Sequence, residues 1–350
     1  MKKKINIGVI GLGGISYGHI PTYVKDERVN LAAVCDVDES WLKYRSNELG
    51  TEFASPDYRE IVNNKNIDAV SVCLPNKFHC EVTVAALEAG KHVLCEKPMA
   101  VNAREAQKMH DASVKSGKKL MIRQNQRFEA GSALMKKQID AGVFGDIYFI
   151  RTGWQRALGA MPSPLNKRTD GSFYSRNWFN EKSESGGVLR DLGCHLLDLA
   201  MFLVGFPKLK NVSCSMYRKF VADGMTKTDL KKYKFDSEDL AAAHMKFENG
   251  MSLEMEVSFG AYVGAHTVFT DLYGTKAGAS RRDGTIKFFK GIEGAYTSET
   301  VMENLCAEKD SIEAFIDCVV NDTEPPVTSA QGVEIIRLLD ALYESAGEIK

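Results

Sequence analysis

The chain lacks an excess of charge of either sign. Its 350 residues carry 45 Lys and Arg against 46 Asp and Glu, a formal net charge of −1. Proteins that bind nucleic acid or an anionic membrane surface through charge need a basic excess. The balance therefore favours a small-molecule partner, with no nucleic acid and no membrane among the expected ligands.

Long apolar runs and paired cysteines are also lacking. No apolar run reaches the roughly 18 residues of a membrane-spanning helix, and the opening MKKKINIGVIGLGGI is rich in glycine without a small-x-small cleavage pattern. The eight cysteines are scattered, with no C-x-x-C pair and no histidine at zinc-finger spacing. We therefore expect a soluble, cytoplasmic protein with reduced thiols and no metal site.

Strand and helix patterns alternate along residues 5–124. Short apolar, β-branched runs predict strands, and amphipathic segments such as CEVTVAALEAG and AREAQKMHDASVKSG predict the helices between them. Parallel strands covered by helices on both faces form a doubly wound α/β, or Rossmann, domain, which we assign to residues 1–124. The strand candidates are INIGVIG, VNLAAVCD, DAVSVCLP, HVLCEKP and KLMIRQN.

The pattern changes from about residue 146 onward. In MSLEMEVSF, which follows an Asn249-Gly250 hairpin turn, apolar residues alternate with polar ones, so Glu254 and Ser258 are expected on an exposed face. Residues 125–350 are therefore expected to form an α+β domain with a large, mainly antiparallel open sheet and a helix from 330 to 347. Further strand candidates are DIYFIRTGW, NVSCSMYRKF, HTVFTDLYG and TIKFFKG.

A glycine-rich turn is the first cofactor signal. IGVIGLGGISYGH places Gly11 and Gly13 directly after a strand and before a helix, where backbone N–H groups can approach a pyrophosphate, although Ser16 replaces the third glycine of G-x-G-x-x-G. The second strand ends at Asp36, near the offset at which a carboxylate receives the adenosine ribose 2′-hydroxyl. The alternatives are a glycine turn that serves packing alone and a turn role for Asp36.

Asp36 also bears on which nicotinamide cofactor binds. A carboxylate at this position repels a 2′-phosphate, which favours NAD over NADP. Lys43 and Arg45 follow on the next predicted helix and are the nearby cations that would favour NADP. We interpret both as part of a solvated helix face.

The stretch GGVLRDLGCHLLDLAMFLVG, residues 186–205, predicts a buried helix. It is apolar nearly all round, yet it carries Asp191, His195 and Asp198. On a regular α-helix Asp191 and His195 lie one turn apart on one face, with their Cβ atoms about 5 to 6 Å apart. Because ionisable groups are costly to bury unless they are paired or border a wet cavity, we expect this helix to line a cleft.

Two further stretches resemble one family. CLPNKFHCEVTVAALEAGKHVLCEKPMA, residues 73–100, and GGVLRDLGCHLLD, residues 186–198, are similar to the glucose-fructose oxidoreductase and inositol dehydrogenase family, Gfo/Idh/MocA. The Glu96-Lys97-Pro98 tripeptide is that family's mark. The resemblance covers nearly the whole chain. It implies a two-domain fold, a nicotinamide cofactor and a homodimer or homotetramer packed through the open face of the second sheet.

The resemblance also implies the site residues. Lys97, Asp191 and His195 match the catalytic trio. Arg190 departs from the apolar residue expected there and could pair with Asp191 or with a substrate anion, and Cys194 is a second departure. Asp198 is expected to be structural. The positions that match cofactor contacts are Gly11, Gly13, Gly14, Ile15, Asp36, Pro75, Asn76, His79, Glu96 and Lys97.

The trio suits the oxidation of a secondary alcohol. This reaction needs a base at the hydroxyl proton and a donor that stabilises the developing alkoxide. We assign His195, whose reference pKa is about 6.5, as general acid/base, Lys97 as the cationic donor, and Asp191 as the partner that orients both.

The resemblance implies the NAD-dependent interconversion of a secondary ring alcohol of a sugar or cyclic polyol with its ketone. The alternatives are a glycosidase that uses NAD for transient oxidation at C3 and a non-catalytic NAD-binding regulator. Candidate substrate contacts are Arg127, Arg156 and Trp178. The last two lie in a polar, aromatic insertion, residues 155–182, which is either a surface loop or a substrate lid.

Overall fold

The chain divides into two units. The computed structural model describes residues 4–157, 165–175, 177–219, 234–292, 295–301 and 306–347. Unit 1 consists of Met1–Gln124 and Lys309–Ile336, and unit 2 consists of Asn125–Glu308 and Arg337–Lys350. The first boundary between the units lies between Gln124 and Asn125. The segment Lys309–Ile336, which the sequence pattern assigns to the second domain, belongs to unit 1.

Unit 1 contains the parallel sheet that the apolar runs predict. Its strands are β1 (Ile5–Ile10), β2 (Val29–Cys35), β3 (Phe53–Ser55), β4 (Ala69–Val72), β5 (His92–Glu96) and β6 (Leu120–Arg123). They lie in the order β3-β2-β1-β4-β5-β6, and every neighbouring pair is parallel. This order confirms the doubly wound fold. The short strand β3 was not predicted.

Helices connect these strands and begin at side-chain caps. They are α1 (Ile20–Lys25), α2 (Glu39–Leu49), α3 (Tyr58–Asn63), α4 (His79–Glu88) and α5 (Ala103–Ser116). The side chain of Asn102 accepts a hydrogen bond from the backbone N–H of Glu105 at 2.9 Å, which satisfies one free donor in the first turn of α5. The same helix ends at Gly117, which adopts the left-handed φ of 65° that favours glycine.

The chain returns to unit 1 near its end. Helix α8 (Ser311–Asn321) begins at Asp310 in a capping box with Glu313 and buries an apolar face against β5 and β6. Helix α9 (Ser329–Ala346) follows and continues into unit 2. Thr328 pairs with Met121 in an isolated β-bridge. A change of pattern along the sequence cannot show that a later segment packs against an earlier sheet.

Unit 2 is built on one large sheet. Its strands are β7 (Ile147–Ala157), β10 (Leu209–Tyr217), β11 (Leu240–Phe247), β12 (Ser252–Ala261), β13 (Thr267–Gly274), β14 (Ala277–Arg282), β15 (Thr285–Ile292) and β16 (Ala295–Val301). The order is β10-β11-β12-β7-β13-β14-β15-β16. Among the described strand pairs of this sheet, only β12–β7 is parallel. A separate hairpin pairs β8 (Leu165–Lys167) with β9 (Phe173–Ser175). The mainly antiparallel sheet is confirmed.

One burial prediction in this sheet is wrong. Glu254 is exposed as the alternation predicts, but Ser258 near the end of β12 is buried. The side chains of Phe259 and Ala261 are buried as well, so the last part of β12 is covered on both faces. The alternation of apolar and polar residues predicts side-chain burial only where one face of a strand is covered and the other is exposed.

A buried ion pair ties two helical segments of unit 2 together. Arg127 lies in a short 3₁₀ turn, Asn125–Phe128, and Asp198 lies on α7 (Cys194–Val204). The guanidinium donates to both carboxylate oxygens, through Nε at 2.7 Å and a terminal nitrogen at 2.6 Å. It also lies 4.9 Å from the ring centroid of Phe202. Two parallel, charge-assisted bonds fix the orientation of both groups.

Helix α6 (Ala130–Asp140) of unit 2 packs against α7. Within the described ranges, no helix is long and apolar enough to cross a membrane.

The Arg127–Asp198 pair generates a stability prediction. Asp198→Asn leaves a buried guanidinium without its counter-charge and should lower the free energy of unfolding by about 3 to 5 kcal/mol, the usual cost of breaking a buried pair. Lys208→Ala removes the ion pair of Lys208 with Glu248, which lies on the surface, and should leave the denaturation midpoint unchanged. Chemical denaturation measures both. A midpoint of Asp198→Asn equal to that of the unaltered chain would contradict the prediction.

Candidate active site

The glycine turn after β1 leaves open space where a ligand can approach. Gly11 has a φ of +94°, and a Cβ there would lie 2.3 Å from the carbonyl oxygen of Cys73, so only glycine fits. Gly13 differs, because no heavy atom lies within 4 Å of the position its Cβ would take. Gly14 and Ile15 begin the 3₁₀ turn Gly14–Gly18, and Ile15 is exposed. The turn therefore presents bare backbone at the carboxyl end of β1.

Asp36 holds this turn from the end of β2. Its carboxylate accepts hydrogen bonds from the backbone N–H groups of Leu12 at 2.9 Å and Asp38 at 3.0 Å. The indole N–H of Trp41 donates to the carbonyl oxygen of Leu12 at 2.9 Å. These bonds join the two βα connections that a dinucleotide site uses.

The interpretation of Arg45 as part of a solvated face is wrong. Its side chain is only 4% exposed, with the guanidinium 4.5 Å from the ring centroid of Tyr17 and paired with Glu48. Stacking and ion pairing occupy this cation inside unit 1. Lys43 is exposed, as predicted.

The loop after β4 is held by a buried histidine. His79 lies with Nδ1 2.8 Å from the carbonyl oxygen of Pro98 and Nε2 2.8 Å from that of Leu74. Burial lowers the pKa of His79, so the imidazole is neutral and donates to one carbonyl at a time. The ring links the loop after β4, including Pro75 and the buried Asn76, to the loop after β5. This contact indicates a structural role rather than a direct contact with the cofactor.

Glu96 anchors the segment that carries Lys97. The Glu96 carboxylate contacts His19 Nε2 at 2.7 Å and Arg123 at 2.8 Å, and it accepts a hydrogen bond from the backbone N–H of Lys97 at 3.2 Å. Ser71 contacts the other ring nitrogen of His19 at 3.0 Å. Lys97 itself is half-buried. Nothing in the sequence pattern connects His19 with Glu96.

The charges of this network are well defined. Burial alone would raise the pKa of Glu96, but the hydrogen bond from His19 and the charges of Arg123 and Lys97 hold that pKa far below its usual range. Burial lowers the pKa of His19. Glu96 is therefore ionised at neutral pH, which places negative charge next to Lys97.

Asp191 and His195 lie on a helix that is not regular throughout. Leu189–Gly193 forms a π turn, in which the backbone N–H of Cys194 bonds to the carbonyl oxygen of Leu189, and α7 begins only at Cys194. The expected regular α-helix through Asp191 is wrong. In a regular α-helix Asp191 would lie one turn before His195, and the wider π turn shifts it from that position. Such π bulges are frequent at functional sites. Asp191 is half-buried and His195 is buried.

His195 lies beside an aromatic residue that the sequence did not single out. The ring centroids of Trp154 and His195 are 5.8 Å apart at an interplanar angle of 42°. Trp154 lies on β7 two residues before Arg156, so both point to the same face of the strand, and the Arg156 guanidinium is 5.7 Å from the Trp154 ring centroid. Residues two apart on a strand share a face, so the prediction of Arg156 as a substrate contact could have identified Trp154 as well.

Arg127 and Trp178, the other predicted substrate contacts, and Arg190 lie in different segments of the chain. The pairing of Arg127 with Asp198, described above, points to a structural role for both. Trp178 lies in the 3₁₀ turn Asn177–Asn180, but its side chain is outside the part of the chain that the structure describes. Arg190, expected near Asp191 or an anion, lies with its guanidinium 4.2 Å from the ring centroid of Tyr343. Lys97 belongs to unit 1, whereas Asp191 and His195 belong to unit 2.

Comparison with known proteins agrees with these features. The model of the Gfo/Idh/MocA oxidoreductase family, NAD-binding Rossmann fold, matches residues 5–124. The model of that family's C-terminal alpha/beta domain matches residues 136–350.

Similar proteins include named dehydrogenases. D-glucoside 3-dehydrogenase of Escherichia coli strain K12 is 30% identical over 358 residues, with 98% of this chain and 95% of the relative covered. Myo-inositol 2-dehydrogenase of Thermotoga maritima is 29% identical over 246 residues, with 70% and 66% covered. A structure of levoglucosan dehydrogenase in complex with NADH and levoglucosan has the same fold, with a TM-score of 0.82, 22% identity and 98% and 97% coverage.

The residues present in unit 1 fit a nicotinamide dinucleotide. The open space beside Gly13 admits a pyrophosphate at the backbone, and Asp36 lies at the end of β2 where the ribose is received. Gly11, Gly13, Gly14 and Asp36 are the residues that would hold the dinucleotide.

This geometry generates a binding prediction for Gly13→Ala. With a φ of −69° at Gly13, alanine adopts the same backbone conformation, so thermal stability should be kept. The added Cβ fills the space that the pyrophosphate approaches, so the Kd for NADH should rise by about tenfold or more. Calorimetry and thermal unfolding measure the two quantities.

Gly264→Ala is the matched control, because a Cβ there also meets nothing within 4 Å. It should bind NADH as the unaltered chain does. Equal affinity of Gly13→Ala and Gly264→Ala for NADH would show that the turn does not receive the cofactor.

Proposed function

The chain belongs to the Gfo/Idh/MocA oxidoreductase family, and on that premise we propose that it interconverts a secondary ring alcohol of a sugar or cyclic polyol with its ketone, using NAD. The observation that carries the proposal is the placement of an acid/base pair, Asp191 and His195, at the start of a mostly apolar and buried helix, in addition to Asp198, which is paired with Arg127. A fold alone does not require ionisable groups there, because their burial is costly.

The proposed roles follow from the chemistry of each group. When bound, the nicotinamide supplies the hydride acceptor for the alcohol carbon. His195 takes the hydroxyl proton during oxidation and returns it during reduction. Lys97 donates to the same oxygen and stabilises the developing alkoxide, and Asp191 orients these two groups. The anionic Glu96 keeps the start of the Lys97 segment in place through the Lys97 backbone N–H.

Trp154 and Arg156 support a polyhydroxylated ring as the substrate. The indole offers a flat apolar face to a sugar ring, and its N–H is buried without a hydrogen-bond partner among the described residues. A site built from hydrogen-bond donors rejects a substrate that leaves them unpaired. An unbranched aliphatic alcohol would leave the Trp154 N–H unpaired, whereas a hexose, a hexoside or an inositol can pair with it. Trp178 stays a predicted contact.

The relatives' names agree with this substrate class. Two of the similar proteins are named for a D-glucoside and for myo-inositol, and a similar structure contains levoglucosan. All three compounds are cyclic polyols with secondary ring hydroxyls. An acidic or phosphorylated sugar is a weaker candidate, suggested by the basic residues of the insertion from 155 to 182.

A panel of neutral and anionic cyclic polyols, incubated with NAD, tests the function. We expect at least one member to yield NADH together with a ketone, trapped as a hydrazone and located by mass spectrometry. His195→Ala and Lys97→Ala should each lower turnover on that substrate by about 10²- to 10⁴-fold, as loss of an acid–base group does, while NADH affinity is largely kept.

His244→Ala is the control for this experiment, because that histidine lies on β11 beside Glu254, away from α7 in sequence and partly exposed. It should keep full turnover. Formation of free sugar from glycosides without net NADH would identify a glycosidase, and NADH binding without any turnover would identify a regulator. Oxidation of acyclic or aromatic alcohols alone would overturn the substrate class.

We further propose that the cofactor is NAD rather than NADP. Asp36 lies where a 2′-phosphate would be repelled, and Arg45, stacked on Tyr17 and paired with Glu48, is occupied elsewhere. NADH should therefore bind clearly more tightly than NADPH, and Asp36→Ala should reduce that preference. Calorimetry with both cofactors measures it, with Asp57→Ala at the start of α3 as a control carboxylate. Equal affinity of the unaltered protein for NADPH contradicts the proposal.

A further inference from the structure

A buried carboxylate lies at the start of the π turn that carries Asp191. Glu238, just before β11, is 2% exposed. Its Oε1 atom accepts a hydrogen bond from the backbone N–H of Leu189 at 3.1 Å, and its own carbonyl oxygen accepts one from Val188 N–H at 3.2 Å. The first N–H groups of a helix have no partner within it, so Glu238 supplies two of the missing acceptors.

A tyrosine from the last helix holds this carboxylate. The Tyr343 hydroxyl on α9 donates to the same Oε1 atom at 2.6 Å. The guanidinium of Arg190, inside the π turn, lies over the Tyr343 ring. The three side chains therefore form one cluster around the beginning of the turn.

Gly187 makes this close approach possible. A Cβ at Gly187 would lie 2.3 Å from Glu238 Oε1 and 2.4 Å from Oε2, and the glycine has a φ of +117°. The Asp191 N–H bonds to the Gly187 carbonyl oxygen at 3.0 Å. The carboxylate thus lies against the backbone segment from which the turn starts, one hydrogen bond away from Asp191.

We propose that Glu238, held by Tyr343, is a positioning residue that fixes the π turn and thereby the placement of Asp191 relative to His195. Glu238 contacts neither substrate nor cofactor in this scheme. It acts through the backbone, by capping the first turn with a negative charge that the helix dipole favours. The inference rests on the proposed function, because it assigns a purpose to the position of Asp191.

The ionisation of Glu238 depends on groups from each element packed against it. Burial raises the pKa of Glu238, and this is opposed by the hydrogen bonds from Tyr343 and Leu189 N–H and by the charge of Arg190. The thiol of Cys214 on β10 also faces the carboxylate, and burial raises the pKa of that thiol to about 12, so it stays neutral. Removal of the Tyr343 hydroxyl therefore raises the pKa of Glu238 further.

Tyr343→Phe and Glu238→Gln test the proposal. Each should lower kcat about 10- to 100-fold, since a displacement on the scale of 1 Å has that effect, while the KM for substrate and the Kd for NADH change less than about threefold. The double variant should be no slower than the slower single variant, because both changes remove the same anchor. Ser345→Ala is the matched control, since this hydroxyl on the same helix donates to Val212 and should leave kcat unchanged.

The pH profile separates positioning from a general loss of structure. In Tyr343→Phe, Glu238 becomes protonated at a higher pH, so the acid limb of kcat should move to higher pH than in the unaltered enzyme. In the Glu238→Gln background the same tyrosine change should cause no such shift. A loss of kcat by the same factor at every pH, or multiplicative effects in the double variant, would overturn the proposal.

Hydrogen–deuterium exchange gives a readout that needs no substrate. Exchange of residues 186–196 should be faster in Tyr343→Phe and in Glu238→Gln than in Ser345→Ala, which should match the unaltered chain. If the unaltered protein oxidises no polyol, the proposed function fails, and exchange alone decides whether Glu238 anchors the turn. Unchanged exchange at 186–196 in both variants overturns the anchor.

Discussion

A carboxylate that accepts a hydrogen bond from a main-chain N–H recurs at each segment assigned to function. Asp36 holds Leu12 in the glycine turn, Glu96 holds Lys97, and Glu238 holds Leu189 at the start of the π turn, at 2.9, 3.2 and 3.1 Å. A charged acceptor makes such a bond stronger than a neutral one. Irregular backbone has few hydrogen bonds of its own, so a fixed anion gives a loop the precision that a reacting group needs.

Two of these anchors, Glu96 and Glu238, differ in how they respond to acid. Cationic neighbours and His19 keep the pKa of Glu96 well below its usual range, so its bond to Lys97 persists as the pH falls. Glu238 has a pKa raised by burial, and it is protonated at a higher pH than an exposed glutamate. The anchor of the segment that carries Lys97 therefore keeps its charge in mild acid, whereas the anchor of the segment that carries Asp191 loses its charge at a higher pH.

Hydrophobic periodicity and turn residues predicted most of the fold because both depend only on residues that are close together in the sequence. Five of the six strands of the parallel sheet and the Asn249-Gly250 turn needed only neighbouring residues. That turn also implied β11, which was not assigned. The π turn, the return of α8 to unit 1 and the burial of Arg45 depend on residues distant in sequence, so no periodicity shows them. The resemblance supplied Lys97, Asp191 and His195, but not Trp154 or Glu238. The homo-oligomer and the cytoplasmic location stay predictions.

His195 and Asp191 are held in place by different physical means. His195 lies on α7, where nearly every side chain is buried, so close packing of the core fixes it. Asp191 lies one turn earlier, half-buried, in a segment whose hydrogen-bond ladder is interrupted. Core packing holds a half-buried residue less firmly than a buried one, and the π turn departs from the regular bonding of the helix. A polar anchor outside the helix can hold such a residue, and we propose that the Glu238 carboxylate against Gly187 is one. Substitutions in the core near His195 should therefore affect stability and turnover together. Substitutions at Glu238 should affect turnover more than stability.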